Sequence, residues 1–252
     1  MFEKEIQFIA HEKYVDYSKE NYPVPIKTNI PEWFKKLDHS VDSKTVKGCM
    51  PFLDTLTSGY LLKLGQDYRI QHNIKNIDTQ QRYSLLTPAL STDSNADETL
   101  LKMNVHARAH PLDAHPIFQI SGSSLLEKNK FLPVNKFYNP WIIKTPPGYS
   151  CLFVSPLNNA DDRFSIISAI VDTDTYTQYI NFPFIVNGDK YPELDTIVKK
   201  GTPYVQVIPF KRDNWRMKVK KITEKMKDES RFFQDLIINV YKNKFWSKKS
   251  WK

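Results

Sequence analysis

The sequence predicts a mainly β protein, either a two-sheet sandwich or a cupin-like barrel, with an amphipathic helix at the C-terminus. Short segments rich in aromatic and β-branched residues recur along the 252-residue chain. Turn residues separate these segments at intervals of roughly 8–12 residues, and a helical spacing of apolar residues is convincing only near the end. This pattern is typical of sandwiches and barrels rather than of proteins that alternate strands with helices.

The individual strands are predicted from local pattern. Residues 164–171 form a continuous apolar run, which indicates a strand buried on both faces, and residues 177–186 alternate between polar and apolar. Pro146-Pro147-Gly148 predicts a type II turn, because proline presets φ and the glycine accepts a positive φ. The predicted strands are residues 2–10, 58–64, 67–72, 140–144, 149–154, 164–171, 177–186, 204–210 and 215–219.

The C-terminal helix is predicted from Ser230 onward, where apolar side chains recur at spacings of three and four and the serine is placed as an N-cap. Residues 220–229, dense in Lys and Glu, fit either a polar extension of that helix or a linker. A shorter helix is predicted over 31–37, with proline at its first position. We therefore expect a β-rich domain over residues 1–221, with the C-terminal helix and a basic aromatic tail, 222–252, packed on it.

The formal charge of +8 is unevenly distributed. Residues 199–252 hold 16 Lys and Arg against 5 Asp and Glu, whereas the rest of the chain holds 20 against 23. Such a tail, interleaved with aromatic rings, permits binding to nucleic acid or to an acidic partner. The favoured interpretation is a solvated lysine face with aromatic anchors. Phe245, Trp246 and Trp251 are therefore expected to fold back onto the β domain.

Composition argues against several protein classes. No apolar run approaches the roughly 20 residues that cross a bilayer, and the first residues lack the basic and apolar regions of a signal peptide. Cys49 and Cys151 are the two cysteines, too few for a disulfide framework and without the spacing of a zinc site. Glycine-rich phosphate loops, dinucleotide fingerprints and nucleophile elbows are missing. We expect a soluble cytoplasmic protein without membrane contact.

The densest group of ligand-type side chains is a histidine cluster in the middle of the chain. A proline after its second histidine disfavours a helix, so both imidazoles are expected on one face of a strand, where they could hold iron or zinc in a cupin-like barrel. Arg108 would place a cation between two such ligands, and a solvent-facing polar strand explains the same residues. The candidate metal ligands are His106, His110, His115 and Asp113.

A second candidate site is formed by Asp172, Asp174 and Tyr176. Two carboxylates beside a bend could bind a ligand or cation, although Asp and Thr are also the ordinary residues of a strand connection. The order of Pro-Gly turn, Asp-x-Asp-x-Tyr segment and Gly-x-x-x-x-Gln strand resembles trimeric dUTP pyrophosphatases. That resemblance implies that Asp172 or Asp174 orients water and that Tyr176 stacks on the base. The sequence departs from the family, since an Arg-Ser-Ser string and a glycine-rich tail are missing.

Several strings of the chain resemble an uncharacterised family found in some bacteria and in tailed phages of marine bacteria. They span about residues 49–212, roughly two thirds of the chain. The family has no established activity or catalytic residues, so the resemblance implies a phage origin and little more. The matching strings are residues 49–52, 58–60, 145–150, 155–158, 170–174, 181–184, 200–203 and 206–210.

The leading functional expectation is a phage-type accessory or virion-associated protein that binds a ligand or protein partner without catalysis. It would act in the host cytoplasm or in the virion. The first alternative is a metal-dependent, oxygenase-like enzyme that uses the histidine cluster. The second alternative is a dUTP pyrophosphatase-like nucleotide binder. A homo-oligomer is an expected assembly, and nucleic-acid binding through the basic tail is disfavoured.

Overall fold

A computed structural model describes residues 4–17, 19–75, 82–89, 114–235 and 240–252. Over these residues the chain is mainly β, which confirms the predicted fold class, and its strands close no barrel. The strands are β1 (Gln7–Ile9), β2 (Val24–Pro25), β3 (Tyr60–Lys63), β4 (Tyr68–Asn73), β5 (Tyr83–Pro88), β6 (Lys136–Phe137), β7 (Ile142–Lys144), β8 (Tyr149–Val154), β9 (Phe164–Ile166), β10 (Ala169–Val171), β11 (Phe182–Val186), β12 (Glu193–Val198) and β13 (Pro203–Lys211).

The described helices are short. Single 3-10 turns also occur at Lys19–Asn21, Ile26–Asn29, Val46–Gly48 and Ile117–Ile120, and one π turn at Tyr241–Phe245. None of the helices in the described ranges is long and apolar enough to span a membrane. The α-helices are α1 (Glu12–Tyr17), α2 (Glu32–Lys36), α3 (Met50–Thr55), α4 (Ser124–Lys128) and α5 (Glu224–Asp235).

The chain divides into two compact units. The first, called the β unit here, comprises residues 1–24 and 59–211. The second unit comprises residues 25–58 together with residues 212–252. The second unit is thus assembled from two stretches that lie far apart in the sequence.

The strands of the described chain form four sheets. Their strand orders are β1-β7, β10-β8-β13-β3-β2, β6-β11-β9 and β12-β4-β5. Consecutive strands often belong to different sheets. Strand β7 pairs with β1, whereas the next strand, β8, pairs with β13 and β10. The connections therefore cross between layers, as expected of a sandwich whose sheets share one core.

Phe137 lies at the centre of that core and is completely buried. Its ring stacks on Phe184 of β11, with centroids 4.3 Å apart, and meets Tyr68 of β4 and Tyr204 of β13 edge-on at 5.4 Å. Phe164 of β9 completes the cluster at 5.3 Å. Side chains from three sheets therefore meet around one ring, and burial of such aromatic surface is the main term that holds the sheets together.

The predicted turn at Pro146-Pro147-Gly148 is confirmed. Gly148 has φ 82°, and the Tyr149 amide donates to the Pro146 carbonyl over 3.2 Å. The helix predicted over 31–37 is also confirmed as α2, whose first turn is closed by amides of Phe34 and Lys35 that donate to the Pro31 carbonyl.

Two predicted strands are wrong in detail. The run 164–171 is two strands, β9 and β10, in different sheets, and Ile170 is 64% exposed rather than buried. Residues 215–219 form no strand. Of the two alternatives for residues 220–229, the structure agrees with a polar extension of the helix, because α5 begins at Glu224. The Thr223 hydroxyl, rather than Ser230, caps it by accepting the Met226 amide over 3.3 Å.

Candidate functional site

The predicted metal site falls largely outside the described residues. His106, His110 and Asp113 lie in the stretch 90–113, which the structure does not describe. His115 forms an isolated bridge with Val134, and its Nδ1 lies 2.7 Å from the Gln119 Oε1. No group of three or more metal-ligating side chains occurs among the residues that are described. The iron or zinc hypothesis stays a prediction.

The two aspartates of the second predicted site lie in the turn that follows β10. Asp172 accepts the Ser150 hydroxyl over 2.6 Å, and Asp174 accepts the Gly148 amide over 2.8 Å. Tyr176, whose amide donates to the Asp172 carbonyl, is 44% exposed. Both carboxylates therefore tie their loop to the type II turn and to β8. The prediction that they bind a ligand stays open.

His72 on β4 is the most strongly perturbed imidazole of the described chain. It is 1% exposed, and neither ring nitrogen has a hydrogen-bond partner among the described residues. Burial lowers the pKa of His72 to about 4, and the nearby cations Arg82 and Lys130 act in the same direction. The ring is thus neutral at neutral pH. Burial of two unpartnered ring nitrogens is unfavourable in itself, and more so for the charged ring.

A concave pocket of about 540 Å³ lies in the second unit. Its volume falls within the range of roughly 300–1,000 Å³ that small-molecule sites occupy. All of its lining residues belong to the second unit, and they come from α2, α3, the loop between them and the C-terminal tail. They are Phe34, Asp38, His39, Lys47, Gly48, Met50, Leu53, Lys242 and Trp246.

The floor of this pocket is apolar. Phe34 and Met50 are both 5% exposed, and Leu53 is half-buried. The Phe34 ring stacks on Phe52 with centroids 5.9 Å apart, and Trp33 packs edge-on against both rings. Each of these helices is too short to be stable alone. Their shared aromatic contact positions the floor.

One wall is fixed by Lys47 and His39. The Lys47 ammonium donates to the carbonyls of Lys35, over 2.9 Å, and Leu37, over 2.7 Å, so it satisfies the orphan acceptors at the end of α2. His39 Nδ1 accepts the Thr45 amide over 3.1 Å. Gly48 passes so close to the imidazole that a methyl group there would lie 2.2 Å from Nε2. Any larger residue at this position would therefore require the His39 ring to move.

The opposite wall is the C-terminal tail. Trp246 Nε1 donates to both carboxylate oxygens of Asp54 on α3, over 3.1 and 3.2 Å. The Lys249 ammonium reaches the same carboxylate over 2.5 Å. These bonds hold Trp246 against α3, whereas the neighbouring Phe245 is 54% exposed. The tail is thereby part of the pocket rather than a free extension.

The mouth of the pocket carries more positive than negative charge. Lys242 is exposed and has no ion pair or hydrogen bond with any other described residue. Asp38 uses one carboxylate oxygen to accept the His39 amide over 2.8 Å. Two ammonium groups, Lys242 and Lys47, therefore stand against one carboxylate that is already hydrogen-bonded. An anionic group at the mouth is favoured by this balance.

This pocket was not among the predicted sites. The one signal in the sequence was the expectation that Phe245, Trp246 and Trp251 fold back onto the β domain. Trp246 instead bonds to Asp54 of the second unit, about 200 residues earlier in the chain. No protein-family model matches the chain, and neither a curated protein nor a solved structure is significantly similar to it. The pocket is therefore interpreted from the chemistry of its own side chains.

Proposed function

We propose that the protein is a non-catalytic binding protein whose second unit holds a small amphipathic anion. The observation that carries this proposal is the pocket of about 540 Å³, with its apolar floor and its cationic mouth. The apolar body of the ligand lies on Phe34, Met50 and Leu53. Its anionic group lies at the mouth, beside Lys242.

Two polar groups of the pocket wall are held in place by the backbone. The Lys47 ammonium is engaged by two backbone carbonyls and His39 Nδ1 by a backbone amide. The Lys47 ammonium and His39 Nδ1 are thus held in fixed positions, whereas His39 Nε2 has no hydrogen-bond partner among the described residues. Burial of the apolar body supplies most of the affinity.

Lys242 supplies selectivity for the anion. It has no ion-pair partner among the described residues, so a bound carboxylate, sulfonate or phosphate would not have to displace one. A charge at the rim contributes modestly, because solvent screens it. The accessory role in a phage remains a prediction that is supported by the sequence resemblance alone.

The test uses anilinonaphthalene sulfonate, a fluorescent probe with an aromatic body and one sulfonate. We expect saturable binding of one probe per chain. Lys242→Glu should weaken this binding about tenfold, because reversal of a rim charge replaces an attraction with a repulsion. The matched control is Lys244→Glu, which makes the same change in the same turn but outside the pocket lining.

Equal probe affinity in the wild type, Lys242→Glu and Lys244→Glu would refute the proposal. Leu53→Trp provides a second variant, since the larger side chain fills the floor and should abolish saturable binding. Thermal unfolding of Leu53→Trp shows whether the variant is folded. A folded Leu53→Trp protein that still binds one probe with unchanged affinity would also refute the proposal.

A further inference from the structure

Residues 212–223, called the arm here, connect β13 to α5 and are all exposed. Trp215 is 91%, Met217 88% and Val219 85% exposed, the three highest values among the large apolar side chains of the described chain. A single exposed apolar side chain is ordinary, but three in one segment make a patch that marks an interaction site.

The arm has the sequence pattern of a β-strand. In an extended chain, Trp215, Met217 and Val219 point to one face and the basic side chains between them point to the other. The backbone of residues 214–222 forms no hydrogen bond with any other described residue. The arm therefore has the alternation of a half-buried strand, but neither the apolar cover nor the ladder partner that a strand needs.

A free sheet edge that matches the arm occurs in the β unit. Strand β12 pairs with β4 on one side and with no described strand on the other. It is six residues long, without proline and with an unbroken register. Its outer face presents Glu193, Asp195 and Ile197, and its inner face presents Leu194, Thr196 and Val198. Such an edge is a template for another strand.

One register between the arm and β12 gives both the apolar and the basic side chains of the arm complementary neighbours. When Trp215, Met217 and Val219 lie beside the inner face of β12, they lie next to Leu194 and Val198. Thr196, between these two residues, accepts the Arg163 guanidinium over 2.8 Å. The basic side chains then lie beside Glu193, which has no ion pair with another described residue, and beside Asp195, which is bonded to Arg69. Opposite charges on neighbouring strands are favourable, and a slip by one residue would place both sets on the wrong face.

The other free edges of the described sheets fit less well. The edge strands β1, β7, β9 and β10 have three residues each, and β2 and β6 have two. Strand β5 ends in Pro88 and carries no acidic side chain. Charge complementarity and length therefore both select β12.

We propose that the arm is a β-strand donated to a second copy of this chain, where it pairs with the free edge of β12. Reciprocal exchange of two arms closes a two-fold dimer, because each copy offers both an arm and an edge. The arm shares no residue with the ligand pocket, so this inference stands or falls independently of the proposed ligand.

The experiment measures the mass of the full chain by sedimentation over a micromolar range of concentration. We expect a concentration-dependent dimer. Trp215→Ser with Met217→Ser should raise the dissociation constant at least about tenfold, since it removes most of the apolar face of the arm. These side chains are exposed in the single chain, so their replacement should leave its unfolding midpoint unchanged. Phe118→Ser is the matched control, an equally polar replacement of an aromatic residue that is 73% exposed outside the arm.

A second variant alters the edge. Glu193→Lys with Ile197→Lys places two cations opposite the basic face of the arm and should weaken the dimer to a similar degree. The arm variant and the edge variant, mixed with different tags, should associate with each other, because one intact arm and one intact edge remain between them. A monomeric wild type at every concentration, a dimer unaffected by the arm variant, or failure of the two variants to associate would each overturn the proposal.

Discussion

Gly59 and Gly148 provide a matched pair that separates backbone strain from steric overlap. Both residues have nearly the same positive φ, 83° and 82°. A methyl group on Gly148 would meet nothing within 4 Å, whereas a methyl group on Gly59 would lie 2.1 Å from the Val207 carbonyl oxygen. Alanine substitution therefore imposes the same backbone strain at both sites and a clash at one.

The magnitudes follow from these contacts. The positive φ alone destabilises an alanine variant by about 1 kcal/mol. At Gly59 the overlapping atom belongs to the backbone of β13, which pairs with β3 through Val207 and Tyr60, so it cannot move as a side chain would. Overpacking of this kind adds about 2 kcal/mol. We expect Gly59→Ala to destabilise by about 3 kcal/mol and Gly148→Ala by about 1 kcal/mol.

The assay is urea denaturation followed by far-ultraviolet circular dichroism. The midpoint should fall about three times as far for Gly59→Ala as for Gly148→Ala, with the slope unchanged. Equal shifts for the two variants would refute the steric reasoning. No shift for either variant would refute the assignment of positive φ at both positions.

Two further predictions concern pH and the tail. The folded pKa of His72, about 4, lies below its ordinary value of 6.5, so between these pH values the unfolded chain binds a proton that the folded chain does not. The free energy of unfolding should therefore fall on acidification through this window, by about 2 kcal/mol at about pH 5. The urea midpoint of His72→Gln should not show this loss. Asp54→Ala removes the carboxylate that accepts hydrogen bonds from the Trp246 indole and the Lys249 ammonium. This variant should destabilise the second unit by about 1–2 kcal/mol. Its tryptophan emission should shift to longer wavelength.

The controls are simple in both cases. His115→Gln makes the same replacement at a histidine that is not fully buried and is the matched control. If His72→Gln keeps the pH dependence of the wild type, the neutral buried imidazole is not its source. Asp42→Ala removes an exposed carboxylate of the same unit as Asp54. Identical unfolding of the Asp42 and Asp54 variants would contradict the role of Asp54.

Local features of the fold could be predicted from the sequence because their causes are local. The Pro146-Pro147-Gly148 turn depends on the fixed φ of proline and the freedom of glycine, and it is present as expected. The segments of β3, β4 and β8 were predicted from their apolar and aromatic residues, since such side chains fit a pleated, half-buried surface. Helix α2 begins directly after Pro31, which is its N-cap rather than the predicted first helical residue.

The pairing of the strands could not be predicted in the same way. The apolar run over 164–171 contains no signal for the break that sends β9 and β10 to different sheets. That break depends on partners distant in sequence, since the Ile167 amide donates to the Pro183 carbonyl over 2.8 Å. The alternation over 215–219 likewise predicts a strand, but an extended segment becomes a strand only where another strand accepts its hydrogen bonds.

The sequence by itself determined the mainly β class, the type II turn, the short proline-led helix and the concentration of positive charge near the C-terminus. These depend on residue type and on spacing over a few positions. Only the tertiary structure decided the layers and the candidate site, where Phe34 and Leu53 meet Trp246 across about 200 residues of chain. The physical reason is that burial and charge pairing act between neighbours in space, and periodicity along the chain does not specify which distant segments those neighbours will be.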